Sequence, residues 1–372
     1  MKSTYLKAPF QFEQRDIPVP EVGADEVLIK VKACGFCGHE MIQAKYAATE
    51  WTPFGHEFSG IVEKIGENVQ NVSVGDTVVI ETSTFRPYSD AARNGRVDLD
   101  GPASEIIDYI GGRETMGFAE YTTAPAALCV KFTTMSFQEG ALIEPMGVAM
   151  DLFKTADIHL GDDVLVFGLG PIGLMALQMA KKAGARKIYA ADLSTAGKRA
   201  ELAKKFGADE IIFTDKVDIK SYPFARGGVD KVLLTAPPAL IETATHTLNL
   251  GGVLAFLGIA YGSAAIASFD SNLVHHKKIQ IRASDAVPAL YFPLCIDLVE
   301  SGMIDLKSLI SQKFMLEDAV EGLTQFVQNP AEACKAVMVT DPDPVSYTHL
   351  VPEIPHDERG YAGGTEARFF PK

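Results

Sequence analysis

Cysteine occurs only five times in the 372 residues, at positions 34, 37, 129, 295 and 334. So sparse and odd a set excludes a disulfide scaffold and suits a reducing compartment. Positive charge is also short: 34 Lys and Arg stand against 48 Asp and Glu, a formal net charge of −14. That balance argues against partners such as nucleic acid or an anionic membrane surface, both of which would repel the chain. No stretch reaches the roughly eighteen apolar residues of a membrane helix. The opening MKSTYLKAPF has no apolar run of signal-peptide length, and there is neither an internal repeat nor a low-complexity region. These absences point to a soluble cytoplasmic protein.

What remains is a chain of ordinary globular composition, 47% apolar and 22% charged, too long for one ordinary core and expected to form two domains or more. Residues 1 to about 147 read as β-rich. VLIKVKA (27–33), GIVEKIG (60–66) and DTVVIE (76–81) are short strand-like runs separated by Gly, Pro and Asn turn signals. From Leu160 the pattern changes to alternating strand and helix. VLVFG (164–168), KIYAAD (187–192), EIIF (210–213), KVLLTA (231–236) and VLAFLG (253–258) alternate with helical stretches such as PIGLMALQMAKKAG. Such a run predicts a parallel sheet covered by helices on both faces, over about 151–285. Helical periodicity returns in FPLCIDLVESG and LEDAVEGLTQFVQ, before a last strand-like run KAVMVT (335–340). The remainder, 341–372, is rich in Pro, Gly and charge without periodicity and reads as a disordered or non-native tail.

The most specific local motif is FGLGPIGL, in which Gly168, Gly170 and Gly173 form G-x-G-x-x-G. It closes an apolar strand and opens a helix, and Asp192 ends the next strand. The first glycine permits a tight turn, the second lets a pyrophosphate approach the backbone, and the third lets helix and strand pack closely. Gly168, Gly170, Pro171, Ile172 and Gly173, with Asp192 and Leu193, are therefore expected to bind a dinucleotide. The Asp192 carboxylate would accept ribose hydroxyls and repel a 2′-phosphate, favouring NAD over NADP. Lys198 and Arg199, just beyond, read as a solvated first helical turn, with phosphate binding as the alternative.

A second constellation is dispersed. CGFCGHE (34–40) supplies Cys34, Cys37, His39 and Glu40; GHEFSG (55–60) supplies His56 and Glu57; EPMG (144–147) supplies Glu144. Cys34 and Cys37 form a C-x-x-C, which a redox pair or a zinc ribbon would use. Cys37, His56, Glu57 and Glu144 instead offer the thiolate, imidazole and carboxylate ligands that zinc takes. A closed four-cysteine site is excluded, since there is no second C-x-x-C and residues 82–117 hold no cysteine.

Together VKACGFCGHE, PFGHEFSGIVEKIG, VGDTVV, GGRETMGFAEY, ALIEPMGVAM, LGDDVLVFGLGPIGL and AADLS resemble the zinc-dependent medium-chain dehydrogenase/reductase family, and within it the polyol (sorbitol-type) dehydrogenases. The resemblance extends over about residues 25–195, and the βα pattern carries it to about 340. It implies a GroES-like β-barrel catalytic domain (1–150), a Rossmann cofactor domain (151–285) and a return to the catalytic domain (286–340). It implies that Cys37 and His56 ligate zinc, that Glu57 or Glu144 is the third ligand while the other holds the water, and that Cys34 only packs. Glu144 as a mere helix-start acid is the bland alternative. Glu40 would be local support. The implied assembly is a homo-oligomer, dimer or tetramer.

Three departures from the family pattern stand out. His39 occupies the place of the Ser or Thr whose hydroxyl relays the substrate proton, so an imidazole would relay it or merely pack. TFRPYSDAARNGRVDLDGPASEIIDYIGG replaces the four-cysteine structural-zinc lobe, so one catalytic zinc and no structural zinc is expected. The arginine of an F-R-Y segment is missing from ASDAVPALYFP (283–293), which argues against sorbitol itself. The resemblance thus implies NAD-linked oxidation of a secondary alcohol on a polyol, cyclitol or sugar, with His39, Glu57 and Glu144 as catalytic residues. A threonine-type or amino-alcohol dehydrogenase, a zinc-free enone reductase and a non-catalytic NAD-binding protein are the alternatives.

Overall fold

The β-rich part forms a seven-stranded sheet in which early and late segments of the chain meet. In a computed structural model that describes residues 1–100, 107–108, 113–258, 260, 262–329 and 331–341, the strand Glu26–Gly35 is central. It pairs antiparallel with Glu57–Ile65, Tyr121–Pro125 and Lys335–Val339. Lys335–Val339 pairs in turn, in parallel, with Ile310–Met315. The last strand-like run of the sequence is therefore laid directly beside one of the first, with Val337 opposite Gly35. The expected tail, 341–372, lies outside the described residues apart from Asp341.

The second sheet has six strands in the order Glu210–Phe213, Lys187–Asp192, Asp163–Phe167, Val229–Leu234, Leu248–Phe256 and Gln280–Ala283, all parallel. The strand order reverses between Asp163–Phe167 and Val229–Leu234, the place where doubly wound sheets open a crevice for ligands. Every residue of Asp163–Phe167 is buried, because apolar side chains pack on both faces of the sheet. Val164 and Val166 face one core; Leu165 and Phe167 face the other. This two-sided burial is why the strand reads as a continuous apolar run.

The helix Ile143–Ala156 connects the two sheets. Met146, Ala149 and Met150 belong to a core that also contains Ala33 and Val79 of the first sheet and Val164 and Val166 of the second. The helix runs unbroken through position 150, the expected end of the first part of the catalytic domain. All described residues lie in one compact unit, Met1–Pro342. Among them, no helix is long and apolar enough to cross a membrane. All five cysteines are free.

Candidate functional site

Cys37 follows the first-sheet strand Glu26–Gly35 by two residues and caps the short helix Gly38–Ile42: its Sγ accepts from the His39 amide at 3.4 Å. The preceding residue, Phe36, is 3% exposed and packs edge-on against Phe12, Phe54, Phe118 and Phe326. That aromatic cluster fixes the direction in which the chain delivers Cys37. Cys34 is fully buried and serves packing. Gly55 needs its left-handed φ of 106° there, and a Cβ would come within 2.8 Å of the Cys34 sulfur.

Glu40 organises the neighbourhood. Its carboxylate accepts the Cys37 amide at 3.0 Å, closing a capping box, and the Gly55 amide at 2.7 Å. The same carboxylate lies 3.0 Å from His56 Nδ1, which fixes the imidazole and turns its other nitrogen toward Cys37. Burial alone would raise the Glu40 carboxyl; the His56 charge and these hydrogen bonds outweigh it and hold it below its ordinary value. Burial would likewise lower the His56 imidazole, but Cys37 and Glu40 hold it well above the usual range. The Cys37 thiol is pushed up by burial and by the charge of Glu57, with His56 opposing.

Glu57, 1% exposed, opens the strand opposite Gly35 and is ion-paired with the buried Lys335. Lys335 also donates to the Phe36 carbonyl at 3.1 Å. Burial would lower the lysine, yet Glu57 and Cys37 raise it above its ordinary value. Sequence reasoning missed this residue; the available signal was a lysine at the head of an otherwise apolar run, KAVMVT. Cys37, His56 and Glu57 place one ligand atom each within 4.8 Å of one another. A thiol, an imidazole and a carboxylate in that space fit a zinc ion with an open position.

Glu144 is not part of that triplet. It sits in the first turn of the helix Ile143–Ala156, close enough to feel the charges of His56, Glu57 and Lys335. Burial pushes its carboxyl up to about 7, with Glu57 adding and His56 opposing. His39 is half-buried, its imidazole lowered by burial and by the like charge of His56.

The glycine turn lies at the crevice of the parallel sheet. Gly168 has φ 104°, and a Cβ there would meet Thr235 Oγ1 at 2.6 Å. A Cβ on Gly173 would collide with the Gly168 carbonyl oxygen, whereas Gly170 has open space around it. Gly170 caps the twelve-residue helix Pro171–Lys182, with Pro171 at its first position and Ile172 packed against the core. The Asp192 carboxylate accepts the Leu169 amide at 2.8 Å and the Leu193 amide at 2.7 Å. Open space at a helix N-terminus beside a fixed carboxylate is what a dinucleotide needs.

The alcohol dehydrogenase GroES-like domain model matches residues 23–134, and the zinc-binding dehydrogenase model matches residues 171–301. The chain is 30% identical over 345 residues to (R,R)-butanediol dehydrogenase of Bacillus subtilis (strain 168), covering 85% of this chain and 94% of that one. The chain belongs to the zinc-binding alcohol dehydrogenases. It is also 30% identical over 362 residues to sorbitol dehydrogenase of the same organism, covering 91% and 97% of the two chains. A zinc-binding dehydrogenase from Sinorhizobium meliloti 1021, solved with NADP, has the same fold at a TM-score of 0.79 and 25% identity over 91% of this chain and 98% of that one.

This dehydrogenase is thus an oxidoreductase of the alcohol and polyol type, built from a GroES-like part and a Rossmann-like sheet. One detail of the dehydrogenase corrects the sequence reading. Arg199 is not a solvated side chain: it donates to the Ala333 carbonyl at 3.0 Å and lies 4.0 Å from the Asp192 carboxylate. The backbone approach of residues 331–334 to this helix, through the long-range return of the chain, draws it in. The segment expected to replace a structural-zinc lobe lies partly outside the described residues.

Proposed function

We propose that the protein oxidises a secondary alcohol of a polyol, cyclitol or sugar with one zinc ion and NAD, with Cys37, His56 and Glu57 as the metal ligands and Glu144 beside them. The observation that carries this reading is the convergence of the three ligand atoms within 4.8 Å. Zinc in such a set supplies Lewis acidity that makes an alcohol hydroxyl acidic near neutral pH, and NAD supplies the hydride acceptor.

The remaining chemistry belongs to the chain. Glu40 holds His56 through Nδ1 and leaves Nε2 to ligate. Lys335 holds the Glu57 carboxylate in place. Glu144, poised at about 7, exchanges protons with hydroxyl groups in the cleft at neutral pH. His39, lowered from its ordinary value, is neutral there and accepts the proton that the alcohol gives up. Gly168, Gly170, Pro171, Ile172 and Gly173 seat the pyrophosphate at the helix N-terminus. Asp192, followed by Leu193, retains lone pairs for the ribose hydroxyls and repels a 2′-phosphate, which favours NAD over NADP.

In this reading residues 1–150 and 286–340 form the catalytic domain, residues 151–285 the cofactor domain, and no structural zinc is bound. The active form is a homo-oligomer, a dimer or a tetramer. Free thiols and an acidic surface suit the cytoplasm.

The test combines zinc analysis with NAD reduction across polyols, cyclitols, sugars and amino alcohols. Wild type should hold one zinc per chain and turn over one of the first three classes, and Cys37→Ala should lose both properties. A Cys37→Ala protein that keeps one tightly bound zinc and full turnover would sink the assignment. Best turnover of a threonine-like amino alcohol would replace the polyol reading.

A further inference from the structure

Lys335 opens the strand Lys335–Val339, whose antiparallel register sets Val337 opposite Gly35 and Met338 opposite Cys34. The Phe36 amide donates to the Ala336 carbonyl at 3.0 Å, which continues the pairing past Gly35 and carries Lys335 to the level of Cys37. The lysine side chain is 4% exposed and meets two acceptors, the Glu57 carboxylate and the Phe36 carbonyl. Gly35 leaves the room for this pair: a Cβ there would lie 2.5 Å from Glu57 Oε2 and 3.0 Å from Lys335 Cε. The lysine backbone is held as well, since the Ser311 hydroxyl donates to its carbonyl at 3.2 Å.

The ammonium is thus fixed among the groups that offer themselves to a metal. The charges of Glu57, Cys37 and Glu40 act on it, and its own charge acts on Glu144. Anionic groups gathered away from water lose their hydration and repel one another, so they need positive charge beside them. Lys335 supplies one such charge that never leaves the chain; a zinc ion supplies two. Both cations draw on the same carboxylate and repel each other. Unit charges about 4 Å apart interact strongly enough, even at the effective dielectric of a protein, to change an equilibrium by well over tenfold.

We infer that Lys335 is the chain's own substitute for part of the metal charge: it neutralises Glu57 before zinc arrives, lets the site fold without metal, and thereby loosens the hold on zinc. The inference rests on the zinc site proposed above and adds what regulates its affinity. Lys335 is here a positioning residue that acts through Glu57. A lysine that only aimed Glu57 at the metal would strengthen zinc binding, and its loss would weaken it. A lysine that competes with the metal for Glu57 has the opposite sign. The direct, buried ion pair favours competition, because a neutral donor could aim a carboxylate without a second buried charge.

The experiment uses full-length protein stripped of metal by a chelator, beside Lys335→Met and Lys335→Gln. Zinc affinity is read by competition with a chromophoric chelator at mildly alkaline pH, and the fold by urea denaturation with and without zinc. Wild type should stay folded without zinc. Lys335→Met should be less stable than wild type without zinc, yet bind zinc at least about tenfold more tightly. Its urea midpoint should therefore rise more than that of wild type when zinc is added. Lys335→Gln keeps a hydrogen-bond donor but no charge, and its affinity should move the same way. Should metal-free Lys335→Met be unfolded, zinc should refold it, as read by circular dichroism; failure to refold would overturn the inference. Equal or weaker zinc binding by either variant, or a wild type that unfolds without zinc, would overturn it while the zinc site stands. Wild type that binds no zinc, or Cys37→Ala that keeps it, would overturn the site itself and the inference with it.

Discussion

The glycine turn and the candidate metal cluster are built in opposite ways. The turn, its helix and Asp192 come from one continuous stretch, 163–192, in which a strand, a tight turn, a helix and a second strand follow in order. The cluster takes Cys37 from just past the end of one strand, His56 and Glu57 from the entry to its neighbour, and Lys335 from a strand some three hundred positions further along. In the turn, backbone geometry does the positioning. In the cluster, buried charge does: Glu40 orients His56 and Lys335 neutralises Glu57. Damage to the first should therefore act through shape, and damage to the second through uncompensated charge.

Lys335→Met should give the largest effect on the fold. It strands the Glu57 carboxylate in the interior, and removing one partner of a buried pair costs about 3–5 kcal/mol. Urea denaturation of the zinc-free protein would measure this. Adding Glu57→Gln should recover a good part of the loss, and a double variant no more stable than the single one would show that shape governs here too. Gly173→Ala should rank next. The new methyl collides with the Gly168 carbonyl, so about 1–3 kcal/mol of overpacking strain should appear in denaturation together with weakened NADH binding, while zinc content stays at the wild-type level.

Gly170→Ala separates binding from folding at the same turn. Nothing surrounds that position within 4 Å, so the free protein should keep its stability within about 0.5 kcal/mol while NADH affinity, read by fluorescence titration, falls. Unchanged affinity would mean that the pyrophosphate does not approach there. The smallest effect belongs to His39. Its imidazole is lowered from 6.5, so a relay through it makes kcat/KM fall as the pH drops through that lowered value, where the ring becomes charged and can no longer accept a proton. His39→Ser should keep activity within about tenfold and remove that acid limb. A variant that changes thermal stability alone, with the pH profile intact, assigns His39 to packing.

The contrast also explains what could be read in advance. The alternation of apolar runs and helical stretches after residue 160 announced the parallel sheet because each strand is buried on both faces and each helix on one. Asp192 was legible because it ends a strand in a motif with a fixed local order. Cys37, His56 and Glu57 were legible as ligand types, and their meeting place follows from the pairing of Gly35 with Glu57. Lys335 was not legible, because nothing within its own segment shows that Glu57 lies across the sheet. Arg199 was misread for the same reason: its carbonyl partner at Ala333 is 134 residues away.

By itself the sequence determined the classes of structure and the local devices: an apolar strand that must be buried, glycines where a Cβ cannot stand, a proline that opens a helix. These depend on backbone sterics and side-chain polarity within a few dozen residues. Only the tertiary structure decided which carboxylate pairs with Lys335 and which nitrogen of His56 is held by Glu40. Those outcomes depend on strand register and helix packing between segments far apart in the chain. A buried charge has no local signature until its neighbours are in place.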